Sequence, residues 1–339
     1  MSVVRMHVVS AALALSGLLI SAPAAFAQAW VPDRGEGAVS LSVQDINVKK
    51  HLAAGTMRDS GHINTIVVLT DVTYGLTDKV AVDLAVPVVS SAYSGLKPHP
   101  GTDIDNSHFH TSLTDLRFSV RYNVTRKGAV ITPYVGSIVP SHAYPYYGHA
   151  AAGERLRELQ VGAFIAKLFT SGVPGMFVSS RVAYGFVEKV QDISHNKSMG
   201  DLELGYFVSR SFRAFGMVNG AYTHGGIDFP LGGLAAVEPR YQPVHDIVQQ
   251  VNYLHAGGGF AYSISDSVDV FGSFSRLVAG RNGHALNRGI TMGASWNFSR
   301  QSARHTTAAG TGAPASEYAR TVARREGSLA RCVCQKSGT

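Results

Sequence analysis

Apolar and polar side chains alternate along most of this chain, and that period of two is what most limits its fold. In residues 114–124, TDLRFSVRYNV, the side chains of Leu116, Phe118, Val120 and Tyr122 fall on one parity. Asp115, Arg117, Ser119 and Arg121 fall on the other. A strand turns successive side chains to opposite faces, so the segment carries one greasy face and one charged face. The same pattern recurs in twelve segments, at about 37–47, 62–74, 79–90, 111–123, 129–139, 156–169, 176–187, 199–209, 212–223, 247–264, 268–278 and 289–298. Each is close to, or somewhat longer than, the roughly 9–11 residues a tilted strand needs to cross a bilayer. Beyond the N-terminus no apolar run reaches the ~18 residues of a membrane helix.

The connections alternate in length. Segments 75–78, 124–128, 170–175, 210–211 and 265–267 are short, whereas 49–61, 90–110, 141–155, 188–198, 224–246 and 278–288 are long. Short turns at one end, long loops at the other, and an even strand count predict an all-β, transmembrane, antiparallel up-and-down β-barrel of about 12 strands. The physical reason is backbone hydrogen bonding. In hydrocarbon an extended chain must pair every N–H and C=O within the protein, and only a closed barrel does so. Apolar side chains then face lipid and polar ones face the lumen.

That parity assigns the candidate lumen-lining residues: Asp71, Asp83, Asp115, Arg117, Arg121, Glu158, Arg181, Asp201 and Glu203. Opposite charges on neighbouring strands can pair, and such ladders set the width and polarity of a pore. They can equally serve only to fill and hold a small lumen. Pro87 and Pro133 fall on the inward parity and mark expected distortions. The downward strands end in outward aromatics, namely Tyr74, Tyr122, Phe169, Tyr206, Tyr262, Trp296 and Phe298. This repetition predicts an aromatic girdle at the periplasmic interface.

Composition agrees with export. Residues 1–27 read as a signal peptide: Arg5, an apolar stretch from Val8 to Ile20, and Ala25-Phe26-Ala27 as a cleavage site. The barrel spans 28–298, and 299–339 is a basic tail of disordered composition with seven Arg/Lys and two acids. The net charge of +7 sits mostly in that tail, so it is no argument for nucleic acid. Both cysteines, Cys332 and Cys334, lie in the tail, and C-x-C alone is not a zinc spacing. Most of the fourteen histidines fall in the long loops without a metal motif. No metal, cofactor or catalytic set is expected, and the expected partners are outer-membrane lipid, the barrel-assembly machinery and a small-molecule cargo. An interfacial lipid hydrolase built on His110-Thr111-Ser112 is an alternative, as is an adhesive barrel whose loops 90–110 and 224–246 bind partners.

Three stretches resemble a known family, the outer-membrane transporters associated with the meta-pathway of phenol degradation. VTYGLTDKVAVDLAVPVV (72–89) is similar to its early hairpin, with a Gly-Leu-Thr-Asp turn and a Val-Pro step. SLTDLRFSVRYNV (112–124) and GDLELGYFVSRSF (200–212) are similar to its Gly-Asp-Leu strands, although Leu113-Thr114 stands where the family has a glycine before the Asp. The last strand, GITMGASWNF, resembles the terminal strand that the assembly machinery reads, here followed by 41 residues beyond Phe298. The resemblance implies a Gram-negative outer-membrane channel for passive passage of small hydrophobic or aromatic compounds.

Overall fold

Alternation of apolar and polar residues produces one antiparallel sheet that closes on itself. The computed structural model describes residues 29–95, 103–229 and 237–299; the stretch 1–27 read as a signal peptide and the tail beyond Ser299, with both cysteines, lie outside them. In chain order the strands are β1 (Glu36–Ala53), β2 (Thr56–Arg58), β3 (His62–Gly75), β4 (Val80–Ser94), β5 (His110–Leu113), β6 (Asp115–Tyr122), β7 (Val130–Pro140), β8 (Glu158–Leu168), β9 (Met176–Val187), β10 (His195–Phe207), β11 (Phe212–Gly225), β12 (Tyr253–Ser265), β13 (Val268–Gly280) and β14 (Gly283–Ser299). β5 and β6 are two halves of one crossing, and β2 is a short hairpin folded back on the end of β1. The remainder pair in sequence order, and β14 pairs with β1 from Glu36↔Ser299 to Leu52↔Gly283, giving a closed twelve-stranded barrel.

Burial is inverted relative to a water-soluble protein. The exposed outer face carries Leu41, Val120, Val135, Leu204 and Met292, each more than half exposed. The buried inner face carries Ser42, Gln44, Thr65, Arg121, Glu158 and Thr291. An apolar belt around a polar interior is what a lipid-solvated barrel requires.

Several strands are longer than their apolar alternation. β13 and β14 meet at Arg281-Asn282, so the long connection expected at 278–288 is a two-residue turn. The tip of β1 turns back at Ala54-Gly55, both with positive φ. Polar strand ends such as His284, Asn287 and Arg288 stay extended because neighbouring strands still pair with them. Between β11 and β12 the segment expected to begin a strand at 247 instead forms a 3-10 turn (Gln242–Val244) and one helical turn (His245–Val248).

The break between β5 and β6 is a bulge. Val88 pairs with Leu113 and Ala85 with Arg117, so Thr114, Asp115 and Leu116 oppose only Val86 and Pro87. Pro87 has no N–H to donate across the ladder; its carbonyl accepts from Thr114 N at 3.0 Å. Pro87 therefore sits at a distortion as expected. Pro133 does not: it is exposed on the outer face beside Ile131 and Val135, while Thr132 and Tyr134 point inward. The proline shares the parity of Ile131 and Val135, so the inward assignment is wrong, and it is accommodated within the regular β7–β8 register.

Both ends of the lumen are occupied. At the short-turn end Ala29 packs against Val130, Tyr134 and Phe164, and its carbonyl accepts from Thr132 Oγ1 at 2.6 Å. Trp30 packs beside Phe177 and Phe215. The segment enters over Gly75, where a Cβ would lie 2.3 Å from Asp33 O and 2.6 Å from Pro32 O. Only glycine leaves room for that backbone approach. At the other end Ile104 and, from the 141–157 segment, Tyr144 and Ala150 turn inward and join Ile46, Ile63, Val67 and Tyr93 in one apolar cluster.

Candidate functional site

Between these two fillings lies a band of charged side chains on the inner wall. Its clearest element joins β4 and β6: Asp83 Oδ2 accepts from Arg121 Nε at 2.8 Å and Asp83 Oδ1 from Arg121 Nη2 at 2.7 Å. Thr73 and Ser119 donate to the same carboxylate at 2.7 and 2.6 Å. Each Asp83 oxygen thus takes two hydrogen bonds, and the pair is fully satisfied. Phe164 lies under the Arg121 guanidinium, 5.8 Å from the ring centre.

A second pair joins β9 and β10. Arg181 and Asp201 face each other in register, with Nε to Oδ2 at 2.5 Å. A third joins β8 and β10, where Lys197 Nζ lies 2.8 Å from Glu158 Oε2, and Gln160 donates to the other oxygen at 2.7 Å. Arg117 stands among these groups and interacts electrostatically with Glu158, Asp71, Arg181 and Asp115. Asp115 accepts from Tyr144 Oη at 2.5 Å, which anchors the inserted 141–157 segment to the wall. Glu203, buried on β10, has Arg213 of β11 as its charged neighbour.

Asp83 with Arg121, Arg181 with Asp201 and Glu158 with Lys197 are thus joined across strands, Arg117 interacts with Asp71, Asp115, Glu158 and Arg181, and Glu203 has Arg213 beside it. Lys197 and Arg213 also belong to this band. Both share the inward parity of their strands; Lys197 is legible only once β10 is known to begin at His195 rather than near 199. Mixed signs in one ring leave a small lumen with a strong local field but little net charge of either sign.

The outward aromatics lie at the other extreme of the radius. Tyr122, Tyr206, Tyr262 and Trp296 are each about half exposed, and Tyr74 and Phe298 stack with ring centres 6.5 Å apart across β3, β1 and β14. Phe169 follows β8 directly and carries Lys167 Nζ over its ring at 5.0 Å.

The bulge at Thr114 changes the reading of His110-Thr111-Ser112. His110 and Ser112 pair with Ser91 and Val89, the inward parity of β4, and so face inward although they share even numbering with the outward Leu116 and Phe118. Ser112 Oγ donates to Leu113 O at 3.0 Å, and His110 Nε2 bonds Asn106 Oδ1 at 3.0 Å. The two do not form a dyad. A serine–histidine pair does occur on the outer face, where Ser198 Oγ and His224 Nε2 are 2.8 Å apart beside Tyr184 and Tyr222.

Closed sheet, inverted burial and a polar lumen define a twelve-stranded β-barrel of the outer-membrane type. Among solved structures the chain is similar to an outer-membrane channel from Pseudomonas putida F1. The two are 14% identical with a TM-score of 0.61, over 78% of this chain and 96% of that one. It is also similar to the translocator domain of the autotransporter NalP from Neisseria meningitidis, at 11% identity over 77% of this chain and 88% of that one, with a TM-score of 0.46. The NanC porin follows at 8% identity over 76% and 98%, with a TM-score of 0.43. At 14% identity the likeness to the Pseudomonas putida channel is one of fold. No family model and no curated protein matches the chain.

Proposed function

We propose that this protein is a channel of the Gram-negative outer membrane for passive passage of small, hydrophobic or aromatic compounds. The observation that carries the reading is the lumen: a closed barrel whose inner wall bears a paired charge band between two zones rich in apolar and aromatic side chains. The charge band narrows the path, and the flanking apolar zones favour solutes that tolerate desolvation. The likeness to a bacterial outer-membrane channel supports the same reading, as does the resemblance of 72–89, 112–124 and 200–212 to the phenol-pathway transporters. Residues 1–27 would direct export and be cleaved. The assembly machinery would read the terminal strand ending at Phe298, and the aromatics from Tyr74 to Trp296 would sit at the periplasmic lipid interface.

Solute flux into liposomes carrying the folded protein tests this. Phenol-like aromatics are expected to enter faster than sugars of similar size, with the rate changed by Arg117→Ala or Arg121→Ala. No flux of either class from a folded barrel would reject the channel and move weight to partner binding by the long loops.

A second reading, an interfacial lipid hydrolase, rests on Ser198 and His224 rather than on His110 and Ser112. A histidine can activate a hydroxyl held at this distance. Phospholipid hydrolysis lost in Ser198→Ala would support it; a lipid blank indistinguishable from protein-free vesicles would remove it.

A further inference from the structure

Three imidazoles from distant parts of the chain converge at the long-loop end of the barrel. His51 and His284 face each other directly across the seam where β1 meets β14. His149 comes from the inserted 141–157 segment. The ring centres of His51 lie 4.7 Å from those of both His149 and His284, and His149 to His284 is 5.5 Å. One ring nitrogen from each residue lies within 4.8 Å of the other two, and His284 Nε2 is 3.4 Å from His149 Nδ1.

The surroundings hold the third ring in place. His149 N and Ala150 N donate to the Asp105 carboxylate at 3.2 and 2.9 Å. Tyr93 packs on the His149 ring with centres 4.7 Å apart. A carboxylate also stands beside the cluster, Asp246 Oδ2 being 3.9 Å from His149 Nδ1.

We propose that His51, His149 and His284 bind a borderline divalent transition-metal ion such as Zn²⁺, Cu²⁺ or Ni²⁺. Three imidazole nitrogens and a nearby carboxylate are donors these ions favour, whereas Ca²⁺ and Mg²⁺ prefer all-oxygen sites. Zn–N bonds of about 2.0–2.1 Å put tetrahedral ligand atoms about 3.3 Å apart. The closest pair already has that spacing, and a small rotation of the third ring closes the set. Bringing three protonated imidazoles so close would be repulsive; a metal uses their neutral forms and turns the cluster into a cross-link. The bound ion would tie the lumen-filling segment to the seam that closes the barrel.

The test is a Zn²⁺ titration of the folded protein against a chromophoric chelator, in a Cys332→Ser/Cys334→Ser background so that tail thiolates do not compete. One equivalent is expected to bind. His149→Ala and His284→Ala should each weaken it about tenfold or more, while His142→Ala, in the same loop segment but outside the cluster, should not. β-sheet circular dichroism checks folding. If a change at the seam disturbs the barrel, His149→Ala, in a loop, gives the answer alone. Absence of stoichiometric binding by the parent protein, or the same affinity with His149→Ala, would overturn the proposal.

Discussion

Arg121 and Asp83 meet through two parallel hydrogen bonds of 2.8 and 2.7 Å between β6 and β4, with the arginine only 2% exposed. A pair so desolvated stabilises mainly by each partner satisfying the other. Removing one leaves a buried charge uncompensated, at a cost of about 3–5 kcal/mol. Arg121→Ala is therefore expected to lower the unfolding free energy of the refolded barrel by that amount, read from denaturant titration. Replacing both residues with apolar side chains of similar volume should cost far less. Equal losses in the single and double variants would contradict this account.

Trp30 lies inside the short-turn end against Phe177 and Phe215. If this segment obstructs passage, Trp30→Ala should raise single-channel conductance in a planar bilayer, together with some loss of stability from the lost packing against Phe177 and Phe215. An unchanged conductance would place the narrowest point elsewhere, in the charge band or the inserted loop.

The bulge at Thr114 sets which face each residue of β5 presents. Leu113 pairs with the outward Val88, and Ser112 with the inward Val89. A fluorophore on Leu113→Cys should be quenched by brominated lipid, and one on Ser112→Cys should not. Deleting Thr114 should leave both results unchanged, because it removes the extra residue and lets Leu113 and Ser112 keep Val88 and Val89 as partners in an unbroken register.

The loop after β11 is fastened by Asp228. Its carboxylate accepts from Arg281 Nε at 3.1 Å, from Arg281 Nη2 at 2.5 Å and from Asn282 Nδ2 at 3.0 Å. The bonds from Arg281 are the main reason its pKa lies below the ordinary carboxylate value. A depressed pKa means the attachment is fully present above the unfolded value of about 3.9 and is lost as pH falls through the lower folded value. Amide exchange in residues 226–229 should be flat from neutral pH down to about 5, after correction for intrinsic rates, and should rise only in stronger acid. Asp228→Asn should show the faster exchange near neutral pH, and the difference from the parent should disappear in strong acid.

The sheet was the legible part of this molecule. Twelve crossings, the side of each charge from Asp71 to Glu203 and the outward aromatics all follow from period-two alternation, because side-chain direction in a strand is a local property. The readings that failed did so where locality fails. Thr114 adds one residue opposite a proline, so parity carried backward from Leu116 put His110 and Ser112 on the wrong face. At 278–288 and 49–61 the ladder continues past the apolar belt, where alternation is no longer required and the segments read as loops.

By itself, then, the sequence determines an antiparallel barrel and the alternation that gives it an inner and an outer face. Only the tertiary structure decides which charges pair, what fills the two ends of the lumen and that His51, His149 and His284 share one place. Those outcomes depend on barrel closure and on inward packing of the Ala29–Trp30 segment and of loops. His149 and His284, for example, are 135 residues apart in the chain. No short-range pattern encodes such a meeting; it follows from burying apolar segments inside a wall that exists only after β14 has paired with β1.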